Sequence, residues 1–121
     1  DGGTIDVWGK GDQTRSFLII DECIEGVRRL MKSDSLEPTN IGSEEMISIN
    51  DLVKLVASVA NKKININNID GPTGVRGRNS DNKLIFATLG WKPSKSLRDG
   101  IAVTYEWISQ QVAKQKQEVA A

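Results

Sequence analysis

The chain has 121 residues, 38% hydrophobic and 26% charged, with sixteen basic side chains balancing sixteen acidic ones. That length suits one domain, and a net charge of zero gives no global field for nucleic acid or an anionic membrane. A single cysteine, Cys23, excludes an internal disulfide and a cysteine-built zinc site, and the absence of histidine excludes Ser-His and Cys-His nucleophile pairs and His-ligated metals.

No metal site is therefore expected, and any bound anion must be caught by a few placed groups. No apolar run reaches the roughly 18–20 residues of a membrane span, and Asp1-Gly2-Gly3 does not open a signal peptide, so a soluble cytoplasmic protein is the expectation.

Residues 4–8 read as a short strand and residues 16–20 as a second β-branched run. The turn Gly9-Lys10-Gly11-Asp12 lies between them, so the two are expected to pair as a hairpin. Asp21 is placed to cap a helix whose apolar stripe is Ile20, Cys23, Ile24, Val27, Leu30 and Met31, ending near Asp34. Residues 38–42 are too short for a helix and read as a brief strand. Ser48 with Asp51 three residues on is a capping-box variant, and Ile47 can staple onto Leu52. The helix it opens buries Leu52, Leu55, Val56, Val59 and Ala60, and Lys62 and Lys63 close it on the favourable side of the dipole.

Ile64-Asn65-Ile66-Asn67 alternates with period two, which predicts a strand with one wet face. Residues 71–79 contain Gly71, Pro72, Gly74 and Gly77 and form a loop. A short helix is expected from Ser80 or Asp81 to Leu89, with Gly90 as its cap and Pro93 preventing continuation. Ser96 and Asp99 repeat the capping pattern before a last helix whose face is Leu97, Ile101, Tyr105, Ile108 and Val112. Beyond Ala113 the chain is rich in Lys and Gln, and residues 114–121 are expected to fray. The reading is one mixed α/β unit over residues 1–121, without repeats or an internal linker.

Few residues offer chemistry. Gly9-Lys10-Gly11 begins like a dinucleotide fingerprint, but Thr14 occupies the third glycine position and a strand is expected where a helix should start. A tight turn explains it better. Arg15 offers a planar fork suited to phosphate or carboxylate, with Gln13 and Thr14 as neutral donors beside it; the plain alternative is a solvated arginine at a strand entrance. Arg78 ends the glycine-rich loop just before a helix start, where backbone N–H groups also favour anions. Its alternative, shared with Arg76, is a surface ion pair of about 0–1 kcal/mol. Asp81 is either a helix N-cap or an acceptor for a sugar hydroxyl. Trp8, Trp91 and Trp107 are expected to pack, and Cys23 to be an inert thiol. Tyr105 is followed four residues later by Ser109, so a Tyr-x-x-x-Lys pair is absent.

In order along the chain stand Trp8-Gly9, Gln13-Thr14-Arg15-Ser16-Phe17, Asp21-Glu22-Cys23, Asn40-Ile41-Gly42-Ser43, Gly74-Val75-Arg76-Gly77-Arg78-Asn79-Ser80-Asp81-Asn82, Leu89-Gly90-Trp91 and Thr104-Tyr105 with Trp107-Ile108. This series resembles the C-terminal part of the extended short-chain dehydrogenase/reductases, the NAD-dependent nucleotide-sugar epimerases and dehydratases, and is most similar to their GDP-mannose-epimerising branch. The resemblance implies an α/β substrate-binding portion of about four helices with short strands, lacking the Rossmann half.

It also implies that Gln13, Thr14 and Arg15 touch the substrate nucleotide and that Arg78 grips its diphosphate. In such enzymes bound NAD oxidises the sugar at C4, neighbouring carbons invert through enols, and the ketone is reduced again. The NAD fingerprint, the Tyr-x-x-x-Lys and the proton-moving Cys and Lys belong to the N-terminal part, and Cys23 does not match that Cys. The implied partner is a nucleotide-sugar substrate, the implied whole enzyme an NAD-dependent homodimer, and this chain by itself an inactive one. A 4-epimerase, a 4,6-dehydratase, a reductase or a non-catalytic binding module would share much of the pattern. Helix faces meant for an absent sheet would lie exposed in the isolated chain, which is then expected to self-associate.

Overall fold

The computed structural model describes residues 2–120. Its elements are β1 (Gly3–Trp8), β2 (Thr14–Ser16), α1 (Ile20–Met31), β3 (Met46–Ser48), α2 (Ile49–Val59), β4 (Ile64–Ile69), α3 (Lys83–Leu89) and α4 (Leu97–Ala120). Four helices with short strands match the mixed α/β expectation.

The strand pairing differs from the expected hairpin. β1 runs parallel to β4 in the register Gly3↔Ile64 to Trp8↔Ile69, whereas β2 pairs antiparallel with β3, Arg15 opposite Ile47. The reason lies at the start of α2, whose first N–H groups have no partner within the helix. They find one in the turn after β1: Ile49 N donates to the Gln13 carbonyl at 3.1 Å and Asn50 N to that of Gly11 at 3.0 Å. Asn50 Nδ2 adds a bond to the Lys10 carbonyl at 2.8 Å. Gly9 and Gly11, at φ 69 and 70, let the backbone turn toward that helix end instead of folding back on β1.

β4 keeps the expected wet face, with Asn65 and Asn67 exposed, and Asn67 Nδ2 donates across the sheet to Asp6 Oδ1 at 2.8 Å. Residues 38–42 are not a strand. The Gly42 carbonyl accepts from the Asn82 side chain at 2.8 Å instead of joining a ladder, and the strand of this region lies later, in β3.

The helix ends are mostly as the caps suggest. Ser48 Oγ accepts from Asp51 N at 3.1 Å and donates to Asp51 Oδ2 at 2.7 Å, and Ser96 with Asp99 repeats both bonds at 3.1 and 2.7 Å. Gly90 ends α3 in the left-handed region at φ 62. Asp21 is not the cap of α1; Ile19 holds that position without a side-chain bond, and Asp21 falls in the first turn, where its charge favours the dipole. Lys62 and Lys63 lie beyond the end of α2, whose last turn holds no basic residue. α4 runs on to Ala120, through the stretch beyond Ala113.

Packing is sparse. The buried apolar side chains among the described residues are Val7, Ile85 and Leu97. The accessible surface is 8775 Å², whereas a folded monomer of 13.3 kDa is expected to show about 6,500 Å². The apolar stripe foreseen on α1 exists but is uncovered: Ile20, Ile24, Val27 and Met31 are all exposed. Trp107, expected to pack, is 61% exposed. Trp91 does pack, closing on Gly26 of α1 so tightly that a methyl there would meet its ring at 2.8 Å, and Arg29 lies over the same ring at 5.8 Å.

Two outcomes follow. Ser48→Ala should cost about 0.5–2 kcal/mol in denaturant unfolding. The Ser48 hydroxyl, and after it the Lys54 ammonium, hold the Asp51 carboxyl below its ordinary 3.8; this contribution is present above that value and lost as pH falls through the lowered one. The acid loss should therefore be smaller in Ser48→Ala, and parallel acid curves for the two proteins would contradict it. Sedimentation velocity over rising concentration should show self-association through the uncovered faces. A monodisperse monomer throughout would contradict that.

Candidate functional site

An open cavity of about 570 Å³ is lined by Arg15, Ser16 and Leu18 from β2 and its exit, by residues 40–43, and by Arg78, Asn79 and Ser80. Its size falls within the range of small-molecule pockets, about 300–1,000 Å³. Three segments distant in sequence meet here, and each is held by polar ties.

The loop of residues 71–79 is fastened along β2. Thr14 N donates to the Arg76 carbonyl at 2.8 Å. The Arg15 guanidinium donates through Nη1 to the carbonyls of Val75 at 2.8 Å and Thr14 at 2.7 Å, and through Nη2 to that of Thr73 at 3.2 Å. The approach is close enough that a methyl on Gly77 would stand 2.5 Å from Thr14 Oγ1.

The far end of the loop is bolted to residues 40–44. Asn82, 2% exposed, donates through Nδ2 to the Gly42 carbonyl at 2.8 Å and accepts from Ser80 Oγ at 2.8 Å. Ser80 N donates to the Ser43 carbonyl at 3.2 Å, and Asn79 Nδ2 to that of Glu44 at 3.4 Å.

Of the five candidates from sequence, the structure brings Arg15 and Arg78 onto one cavity. Arg78 is exposed, and among the described residues neither it nor Arg76 makes the surface ion pair that was its alternative. Gln13 turns away, its Nε2 reaching the Trp8 carbonyl at 3.4 Å. Thr14 faces the loop backbone, not the cavity. Asp81 is not the N-cap of α3, a position that Asn82 holds; it stands one residue earlier, its Oδ1 accepting from Lys83 N at 3.0 Å.

Residues 40–43 and Asn82 were not singled out by residue-level reading. A strand was expected at 38–42, and a lone asparagine carries no spacing signal. Their only trace in the sequence is their place in the ordered series of motifs along the chain.

The lining offers a guanidinium without a protein partner among the described residues, part of a second one, and neutral donors in Ser16, Asn40, Asn79 and Ser80. It includes no carboxylate, thiol, phenol or ammonium, so these walls can hold an anion but have no group suited to moving a proton at neutral pH. Among the described residues there is no cluster of three His, Cys, Asp or Glu to hold a metal, and no helix long and apolar enough to cross a membrane.

No family model matches the chain. Over 111 residues, 92% of this chain, it is 56% identical to GDP-mannose 3,5-epimerase of Arabidopsis thaliana and 54% identical to GDP-mannose 3,5-epimerase 1 of Oryza sativa subsp. indica. Its fold superposes on UDP-glucuronic acid 4-epimerase from Bacillus cereus, solved in complex with UDP-glucuronic acid and NAD, with a TM-score of 0.79 and 29% identity, covering 88% of this chain and 35% of that one. The chain is similar to part of a nucleotide-sugar epimerase. It spans 29% of the length of the two plant epimerases. The relationship is thus to one region of such an enzyme, and that region includes the cavity.

Asn82 is the tie on which both walls of the cavity depend. Asn82→Ala would leave the Gly42 carbonyl unpaired beside a new void, and a destabilisation of about 1–3 kcal/mol is expected in urea unfolding. A change within about 0.5 kcal/mol, the range of an ordinary surface substitution, would show that the walls are held otherwise.

Proposed function

We propose that this chain is the C-terminal, substrate-holding region of an NAD-dependent nucleotide-sugar epimerase, of the GDP-mannose 3,5-epimerase type, and that the cavity receives the diphosphate of the sugar nucleotide. The observation that carries the reading is the meeting of Arg15 and Arg78, far apart in sequence, on one open cavity of pocket size. Arg78 brings a guanidinium free of protein partners among the described residues, and Arg15 keeps two of its five N–H donors after three bonds to carbonyls. Charge-assisted bonds from such groups to phosphate contribute roughly 1.5–3 kcal/mol each. Gln13 and Thr14 then act behind the wall, shaping the turn and the loop, and Asp81 stays with its helix.

NAD does not fit the residues present. The Gly9-Lys10-Gly11 turn leads into β2, where a dinucleotide site needs a helix N-terminus. Binding of NAD, the redox step and proton transfer at the sugar, and assembly into a homodimer are assigned to the remainder of a longer enzyme. This region supplies affinity and orientation for the substrate.

A second reading, a UDP-sugar in the same cavity, is favoured by the likeness to the Bacillus cereus 4-epimerase, and titration calorimetry separates the two. GDP-mannose should bind more tightly than UDP-glucuronic acid, NAD should not bind, and Arg78→Ala should weaken GDP-mannose binding ~10–100-fold, or ~1.4–2.7 kcal/mol. Unchanged affinity in Arg78→Ala would overturn the assignment of the cavity.

A further inference from the structure

Arg78 lines the cavity, yet no bond of its own holds it there. Among the described residues neither its backbone nor its side chain forms a hydrogen bond, and residues 71–79 are exposed throughout. The nearest fixed point lies just downstream, where the chain enters α3.

Ser80, two residues on, is seated by three contacts. Its N–H donates to the Ser43 carbonyl at 3.2 Å and its hydroxyl to Asn82 Oδ1 at 2.8 Å. Its Cβ lies so close to Gly42 that a methyl added there would meet it at 2.7 Å. Gly42 is not in the left-handed region, so its backbone does not demand glycine; the space left for Ser80 does.

Asn82 joins the two sides. It is 2% exposed, and its Nδ2 donates to the Gly42 carbonyl at 2.8 Å and its N–H to Glu44 Oε1 at 3.3 Å. The segment's remaining tie, from Asn79 Nδ2 to the Glu44 carbonyl, is longer at 3.4 Å and exposed. One buried amide thus turns its acceptor to the segment that carries Arg78 and its donor to the opposite wall.

From this we infer that Asn82 is a positioning residue: with the open seat at Gly42 it sets Ser80, and through Ser80 the place of Arg78 against the bound anion. The inference rests on the reading of the cavity as a diphosphate site. A cation fixed in advance binds an anion more tightly than one that must first be ordered, because the ordering cost is met before binding. The position needs a donor and an acceptor in one short side chain, which an amide supplies. A carboxylate would set an oxygen against the Gly42 carbonyl, and alanine offers neither group. Direct contact with phosphate stays with the two arginines.

Two measurements on the intact chain test it. Amide exchange compares Ser80, bonded to the Ser43 carbonyl, with Thr14, bonded to the Arg76 carbonyl on the other side of Arg78. Asn82→Ala and Gly42→Ala should each lower Ser80 protection by about tenfold or more beyond any change at Thr14. Equal losses at the two amides would mean a general loosening and would overturn the inference.

Calorimetry with GDP-mannose then follows both substitutions, alone and combined with Arg78→Ala, each affinity being referred to the folded fraction from urea unfolding. Either substitution alone should weaken binding by about tenfold, and neither should weaken it further once the Arg78 guanidinium is gone. Gly42→Ala carries the test should Asn82→Ala not fold, since it leaves the buried amide in place. A loss of the same size in the Arg78→Ala background, or no loss outside it, would overturn the inference. If the unsubstituted chain fails to bind GDP-mannose, the diphosphate reading falls and the route to the anion falls with it. The exchange results still decide whether Asn82 and Gly42 seat Ser80.

Discussion

Burial of apolar surface is the largest favourable term in folding, and this chain achieves little of it. Val7, Ile85 and Leu97 make up its described buried apolar side chains, and its surface exceeds that of a typical folded chain of its mass by about a third. The deficit is not spread evenly. One face of α1 carries Ile20, Ile24, Val27 and Met31 in the open, and α4 adds Val103, Trp107 and Val112. The α1 residues stand at the spacing of a helix face that packs in a complete domain. The chain matches 29% of the plant epimerases and 35% of the bacterial one. An exposed apolar helix face is consistent with a region whose neighbours lie in the rest of such an enzyme.

With so small a core, polar ties between segments carry much of the arrangement that remains. The turn after β1 is held by the opening N–H groups of α2. Carboxylates serve the same purpose at α4, where Glu45 accepts from Leu97 N at 2.8 Å and Glu22 from Ser94 N and Lys95 N at 2.7 and 3.0 Å. Arg15 and Asn82 fix the two ends of the glycine-rich loop. Each tie satisfies backbone groups that a strand or helix would satisfy elsewhere. The cavity is a product of this network: its walls are loops brought together by side chains, and Arg78 stands on one of them without a protein partner among the described residues.

How much of this was legible depends on the range of the interaction. Local signals read well, because their chemistry lies within four residues: the Ser48 and Ser96 caps, Gly90 at the end of α3, and the alternating Ile and Asn of β4. Pairings between distant segments did not. A hairpin between residues 4–8 and 16–20 was reasonable from spacing alone, but nothing local says that the N–H groups of Ile49 and Asn50 would capture the intervening turn. Asp21 failed as a cap for a related reason, since the helix opens two residues earlier than its position requires. At the site, the guanidiniums of Arg15 and Arg78 were recognisable as anion binders by type. That they share a cavity, that Arg15 is engaged with the loop, and that Asn82 links the walls are facts of tertiary structure.

The central claim is that the space between Arg15, residues 40–43 and Arg78 receives the diphosphate of a GDP-sugar. The most direct test is to titrate GDP-mannose into the isotopically labelled chain and map the backbone amide shifts by NMR. The account expects saturable changes concentrated at Arg15 and Ser16, at residues 40–43 and at Arg78–Ser80, with the Gly9–Gly11 turn and α4 unaffected. Shifts centred on the Gly9–Gly11 turn or on α4, or none at all, would contradict it.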